Sequence, residues 1–370
     1  MTAVEFEIAG LTDSMKKAAQ IAPTKGRQLE KFAGLLLEVL PETEETEATV
    51  ILRATNGDVF YREWITPNSI EGDPITWRLP SKLVSNVVAQ LPQSKVVRFA
   101  DSEDVSRVEI TCGKLKATTR KMIPDTYPDW DYIDQDGLAQ VPGFGAALEE
   151  VGWAVANDHP PFNGIRVAED MMFGCDKYRL ARTPVEIEGL DDPITVPASV
   201  LAPIIKHVVD TKVMVTENHL CLMPNDRTEI LCTIFGEEYP PVDRILNTEF
   251  TNEIEFDKSM MKDIVDRVMA AGSSDRQFGL DVVIGDETVE VGIMDEDHQI
   301  SDSIYLEGQA KHSPTHLTFS PTNFTEPISK APSGTMKLKY TEGNPRKMVK
   351  FEGDGDFEVW VAPRVKGSLS

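Results

Sequence analysis

A strand end, a proline and then a helical stretch recur three times in this chain: "ITWRLPSKLVSNVVAQL" from Ile75, "ITVPASVLAPIIKHVV" from Ile194 and "THLTFSPTNFTEPISKA" from Thr315. The marker prolines Pro80, Pro197 and Pro321 stand 117 and 124 residues apart. Proline suits a helix start, because its missing N–H would have no intrahelical acceptor there. A second helical stripe recurs ahead of each. Leu11, Met15, Ala18 and Ala22 form the first, Phe144, Leu148, Val151 and Val155 the second, and Met261, Ile264, Val265 and Val268 the third. Spacings of three and four residues place each set on one buried helix face. A fixed period of this kind means one structural unit used three times.

Alternating stretches fill the spaces. "GLLLEVL", "ATVILRAT" and "VFYREWI" follow the first helix; "GIRVAED" and "MMFGCDKYRLA" follow the second; "FGLDVVIG" and "TVEVGIM" follow the third. Each proline-led helix is followed by three more, the last set being "GTMKLKYTEG", "KMVKFEG" and "FEVWVAP". Period-two alternation with turns such as Asn56-Gly57 and Gly353-Asp354-Gly355 predicts antiparallel hairpins. Tyr127-Pro128 echoes Tyr239-Pro240 near the end of a repeat. The expected organisation is α+β, in three units of about 120 residues, an ordinary domain size. Their expected bounds are 1–126, 127–248 and 249–370, and "PETEETEAT" reads as a solvated hairpin loop.

A hydrophobic content of 41% supports real cores, and no apolar run is long enough to span a bilayer. "MTAVEFEIAG" reads as a strand rather than a secretory signal, so the expected location is the cytoplasm. Cys112, Cys175, Cys221 and Cys232 lie in apolar strand-like runs without a C-x-x-C pair, which favours buried thiols over zinc. "MDEDHQISD" and "EGDGDFE" read as a solvated loop and a hairpin turn, not as metal sites. No G-x-S-x-G, P-loop or G-x-G-x-x-G motif occurs, and the histidines are dispersed. A net charge of −24 argues against a generally phosphate-binding surface. The field at the contacting surface decides, however, so segregation of charge matters more than the sum.

Four segments in this order, "FNGIRV" with "CDKYRLA", "ITVPASVL", "EEYPPVDRIL" and "FEVWVAPRV", resemble the bacterial DNA polymerase III beta subunit, the replicative sliding clamp. The resemblance covers essentially the whole chain. It implies three DNA-clamp domains per chain, with helices on the inner face and antiparallel sheets outside. Two chains would close head to tail into a homodimeric ring around double-stranded DNA. The implied role is non-catalytic: tethering a DNA polymerase for processive synthesis, after loading by a clamp loader ATPase, with no metal or cofactor. Two other readings stay open, a ring or scaffold protein that does not encircle DNA, and a hydrolase.

The resemblance also assigns residues. A hydrophobic pocket for a partner's peptide would use Phe162, Cys175, Lys177, Tyr178, Arg179 and Leu180, then Pro240, Arg244, Ile245 and Leu246, then Val361, Ala362 and Pro363. Cations on or beside the helices would face DNA: Lys16, Lys17, Lys25, Arg27, Lys82, Lys206, Lys212, Lys258, Lys262, Arg267, Arg276 and Lys330. Glu149, Glu150, Asp263 and Asp266 share those helices, so the expected lining is mildly basic. Three positions depart from the family pattern. Lys177-Tyr178 replaces Gly-His before the Arg-Leu pair; the tail reads Val361-Ala362-Pro363-Arg364-Val365 and runs on to Ser370; Gly272-Ser273 stands where the family has an apolar interface pair. These departures leave room for a phage-encoded member and a different preferred peptide.

Overall fold

The computed structural model describes residues 1–23, 27–93, 95–156, 160–200, 210–271, 279–294, 299–306, 314–332 and 334–364. Its helices are α1 (Ile8–Ile21), α2 (Ser81–Ala89), α3 (Phe144–Gly152), α4 (Asp243–Leu246), α5 (Lys258–Ala271) and α6 (Pro321–Lys330). The predicted stripes are buried: Leu11, Met15 and Ala18 on α1, Phe144, Leu148 and Val151 on α3, and Met261, Ile264, Val265 and Val268 on α5. α1 has no side-chain cap at Glu7. The Ile8 N–H instead donates to the Lys95 carbonyl at 3.2 Å, which occupies one otherwise orphaned donor. α3 ends at Gly152, so Val155 lies beyond the expected helix. The helix expected after Pro197 falls on 201–209, outside the described residues, as do Gly272-Ser273 and residues 295–298 of "MDEDHQISD"; the rest of that expected loop lies in the strands Thr288–Met294 and Gln299–Tyr305.

Two compact units emerge, Met1–Ala146 with Val196–Ile234, and Ala147–Thr195 with Phe235–Ser370. In the first, an eight-stranded sheet runs Ala139–Pro142, Asp210–Val215, His219–Asn225, Thr228–Thr233, Val59–Ile65, Thr49–Thr55, Leu35–Leu40, Ile75–Leu79. A five-stranded sheet, ending in Leu115–Arg120, completes it. In the second, an eight-stranded sheet runs Ile194–Pro197, Gly164–Val167, Met171–Cys175, Arg179–Pro184, Glu358–Val361, Val349–Glu352, Thr335–Tyr340, Asn252–Asp257. A four-stranded sheet, ending in Gln299–Tyr305, accompanies it. Each eight-stranded sheet thus joins strands from two consecutive sequence repeats: Val59–Ile65 pairs with Thr228–Thr233, and Arg179–Pro184 with Glu358–Val361.

Alternation gives each large sheet two distinct faces. One lies under helices. Gly174 shows how closely: a Cβ there would stand 2.1 Å from the Val151 carbonyl oxygen of α3, so only glycine fits. The other face carries a row of residues in register. In the first unit the row is Leu36, Arg53, Arg62 and Glu229. In the second it is Arg166, Phe173, Arg182 and Glu358.

A strap covers the first row. It is the segment after Tyr127, residues 128–133. Arg62 donates to Glu229 at 2.7 Å and to the Trp130 carbonyl at 2.7 Å. Arg53 donates to Asp129, and its guanidinium lies 4.1 Å from the Trp130 ring centroid. Tyr132 stacks 3.9 Å from the Arg62 guanidinium, and Ile133 packs with Cys221 and Met223. Under this cover the Arg62 and Glu229 side chains are 2% and 3% exposed. The equivalent pair in the second unit, Arg182 with Glu358, is 31% and 20% exposed.

Candidate partner-peptide pocket

The outer face of the second unit's large sheet bears an apolar cluster. Strand alternation puts Phe173 and Cys175 on one strand and Leu180 on the next; register places Trp360 opposite Leu180. The segment after Thr233 crosses this face and adds Tyr239 and Val242. Phe162, Met171, Ile245, Leu246, Phe250 and Met348 are partly buried against the cluster. Tyr239 fixes its segment by donating from its hydroxyl to the Phe173 carbonyl at 3.2 Å. The half-covered side chains form a surface that a short apolar segment can complete, and the fully buried ones form its floor.

Of the pocket residues expected from sequence, Phe162, Cys175, Leu180, Ile245 and Leu246 meet here. Leu180 is 0% exposed, so it supports the site from beneath and does not present itself to a ligand. Pro240 is half-buried beside Tyr239, and Arg244 is exposed on α4. Val361 and Pro363 are buried, and Val361 lies on the opposite face from Trp360 by alternation. The Ala362 N–H donates to the Tyr178 carbonyl at 2.8 Å, tying the tail to the hairpin.

The hairpin itself is set by Asp176. One carboxylate oxygen accepts the N–H groups of Tyr178 and Arg179, each at 2.7 Å; the other accepts from the Arg179 guanidinium at 2.8 and 3.0 Å. Arg179 also pairs with Glu326 of α6 and stacks 5.5 Å from the Trp153 ring centroid. Its side chain is therefore held by two carboxylates on the helix-facing side. Lys177 and Tyr178 are exposed at the turn. Burial pushes the Cys175 thiol up, the reverse of what a thiolate nucleophile needs.

Phe173, Tyr239, Val242, Phe250, Met348, Trp360 and Arg166 were not expected. Phe173 carried a legible signal, since it stands two positions from Cys175 and such positions on a strand share a face. Tyr239 had one too, in its echo of Tyr127.

The candidate DNA-facing cations divide by environment. Lys16, Lys82 and Lys330 are exposed on α1, α2 and α6, and Lys17 is half-buried. Lys262 pairs with Asp266, and Arg267 with Asp302 at 2.7 Å. Lys258 donates to the Ala331 carbonyl. Lys212 is on a strand, shares its sheet face with Met214 and Met223, and pairs with Asp226 at 2.9 Å. Lys25, Lys206, Arg276 and the Arg27 side chain lie outside the described residues. Among the described residues, no group of three or more His, Cys, Asp or Glu side chains is arranged to hold a metal, and no helix is long and apolar enough to cross a membrane.

No protein-family model and no curated protein sequence matches the chain. Solved structures do. The DNA polymerase III beta subunit of Thermotoga maritima superposes with a TM-score of 0.82 at 15% identity, over 99% of this chain and 100% of that one. The Borrelia burgdorferi subunit beta, solved with a natural product, gives 0.80 at 16% identity over 99% and 100%. The Helicobacter pylori beta clamp, solved with a DNA ligase peptide, gives 0.76 at 14% identity over 98% and 100%. Identity this low carries the fold and not the activity; along its whole length, the chain has the fold of the bacterial DNA polymerase III beta subunits.

Proposed function

We propose that this chain is a DNA sliding clamp: a non-catalytic protein that encircles duplex DNA and tethers a polymerase and other partners through the outer-face pocket. The observation that carries this reading is the agreement with beta subunits over 99% of this chain and 100% of each of theirs. We read three clamp domains, 1–126, 127–248 and 249–370, each large sheet being the joint between two of them. The site of action would be the cytoplasm.

Two chains are needed to close such a ring. The end strands Leu115–Arg120 and Gln299–Tyr305 offer the edges for it. Beside the second, exposed Met260 and Tyr305 border a cavity of about 550 Å³ with Ile264, Arg267 and Ile304. An open strand edge next to apolar side chains is unstable as a free surface and suits a second copy. Head-to-tail pairing of the first and third repeats is the arrangement we infer.

Among the described residues, the candidate DNA-facing cations Lys212, Lys262 and Arg267 are paired with aspartates, which leaves Lys16, Lys17, Lys82 and Lys330 as the described cations to meet phosphate. Each phosphate neutralised steepens the salt dependence of log K by about 0.9. Direct affinity is therefore expected to be weak, and retention topological.

The test uses nicked circular DNA and the same DNA linearised. The native mass is expected at twice 41.1 kDa. Protein placed on circles by an ATP-driven loader should survive gel filtration in high salt and be lost once the circle is cut. Equal retention on both forms, or a stable monomer at micromolar concentration, would overturn the reading.

A further inference from the structure

Arg166 is out of keeping with the other arginines buried or half-buried in this fold. The buried Arg53, Arg62 and Arg78 and the half-buried Arg179 and Arg182 all donate to acceptors. Arg166 is half-buried on the outer face, in register with Phe173, and its guanidinium lies 5.7 Å from the Tyr239 ring centroid. Among the described residues it has no hydrogen-bond acceptor and no carboxylate partner. A guanidinium presents five N–H donors in a planar fork suited to a carboxylate.

The internal repeat supplies a control. Tyr127 occupies the place of Tyr239 one repeat earlier, and Arg78 lies 5.0 Å from its ring centroid. Arg78 is satisfied: it donates to the carbonyls of Ala33, Ile123, Glu30 and Lys31 at 2.7–3.1 Å, and to the Thr126 hydroxyl at 2.8 Å. Arg166 takes the row position of Leu36, on the strand next to the one that carries Arg78, so it reaches the corresponding tyrosine from a different strand and without these acceptors.

The first unit also shows what such a face accepts. There the outer row is covered by the chain's own acidic, aromatic segment Asp129-Trp130-Asp131-Tyr132-Ile133, with a carboxylate on Arg53, rings on Arg53 and Arg62, and an aliphatic anchor beyond. In the second unit the segment carrying Tyr239 and Val242 covers the Phe173 part of the row, while Arg182 and Glu358 stay half-exposed. A cavity of about 280 Å³ lies at that end, away from Arg166, lined by Met171, Arg182, Pro184 and Phe357 and by the acidic Glu352, Asp356 and Glu358.

We propose that the pocket's occupant is an acidic peptide segment of a partner protein, and that Arg166 receives a carboxylate next to the segment's apolar anchors. The proposal rests on the partner-pocket reading and adds to it the chemical class of the partner and a specificity residue.

Two synthetic peptides test it: the strap's own sequence, Pro-Asp-Trp-Asp-Tyr-Ile-Asp, and the same peptide with each Asp replaced by Asn. Each carries a fluorophore and is titrated by anisotropy with the full chain. The wild type should prefer the acidic peptide by about tenfold, since a charge-assisted hydrogen bond is roughly twice as strong as a neutral one. Arg166→Gln should bind both peptides alike, at the level of the wild type with the amide peptide. Arg166→Lys should keep most of the preference, which a purely structural role would not restore.

Equal binding of the two peptides by the wild type, a preference that survives Arg166→Gln, or no binding of either peptide would overturn the proposal. An Ile245→Asn/Leu246→Asn variant separates the underlying reading. If both peptides bind wild type equally and that variant binds neither, the pocket stands and the role of Arg166 falls. Undiminished binding by a folded double variant removes the pocket itself.

Discussion

Replacing Arg62 by methionine is expected to destabilise the first unit by about 3–5 kcal/mol, the range for breaking a buried ion pair by removing one member. The reason is what would remain. Glu229 would be left 3% exposed with its counter-charge gone. Burial already pushes its carboxyl up from the ordinary range, and only the Arg62 guanidinium and a backbone donor pull it back. Without Arg62 the carboxyl is expected to take up a proton. Arg62→Met therefore loses stability further as pH rises above the usual carboxylate range, because the folded protein then holds a proton that the unfolded chain gives up. The Trp130 carbonyl would also lose its 2.7 Å donor, and the strap its anchor. The pair is not a large net stabiliser in itself, since two charges have been withdrawn from water. A double variant, Arg62→Met with Glu229→Met, should thus cost clearly less than the sum of the single variants. Urea unfolding of all four proteins forms the cycle. Strict additivity would mean that the two side chains are not coupled.

This pair also shows where sequence reading stops. The helices at Pro80 and Pro321, the buried stripes and the hairpins at Asn56-Gly57 and Gly353–Gly355 are local features, legible because periods of two and 3.6 are written in neighbouring residues. Aligning the repeats even sets Arg62 against Arg182 and Glu229 against Glu358. What no local pattern reveals is that Val59–Ile65 and Thr228–Thr233 are neighbours, which is a matter of how one repeat docks on the next. The outer-face cluster was half visible for the same reason. Leu180 was singled out by its motif. Trp360 opposite it, and Tyr239 above it, depend on pairing between distant strands and on the path of a loop. Arg166 was hidden inside "FNGIRV", where it served only as part of a fingerprint. Its lack of an acceptor is a property of the folded surface and has no signature in sequence.

Arg179 carries a related lesson. An arginine beside an apolar pair invites the role of a rim cation. Alternation places it on the other face from Leu180, where Asp176 and Glu326 hold it. Its charge organises the hairpin that leads into the pocket, and the face a ligand would touch is left to Phe162, Ile245, Leu246 and Met348.

Converting Ile245 and Leu246 to asparagine is therefore expected to lower affinity for a partner peptide by about 100-fold or more. Each leucine-sized anchor contributes about 1.5–3 kcal/mol when its surface leaves water, and tenfold in affinity is about 1.4 kcal/mol. These two residues suit the test better than Leu180. They are half-buried on α4, so asparagine there keeps access to water. Leu180 is wholly enclosed by the cluster, and a polar replacement would leave an unsatisfied amide in the core and cost the fold itself. The expected pattern is loss of peptide binding and of processive synthesis, with native mass and retention on circular DNA unchanged. That separation follows from the geometry: the pocket lies on the outer face of one large sheet, whereas the inferred dimer edges lie on the end strands of two other sheets. Peptide titration, native mass and DNA retention measured on one preparation decide it. A double variant that stays folded and dimeric yet binds peptide as the wild type does would show that partners dock elsewhere.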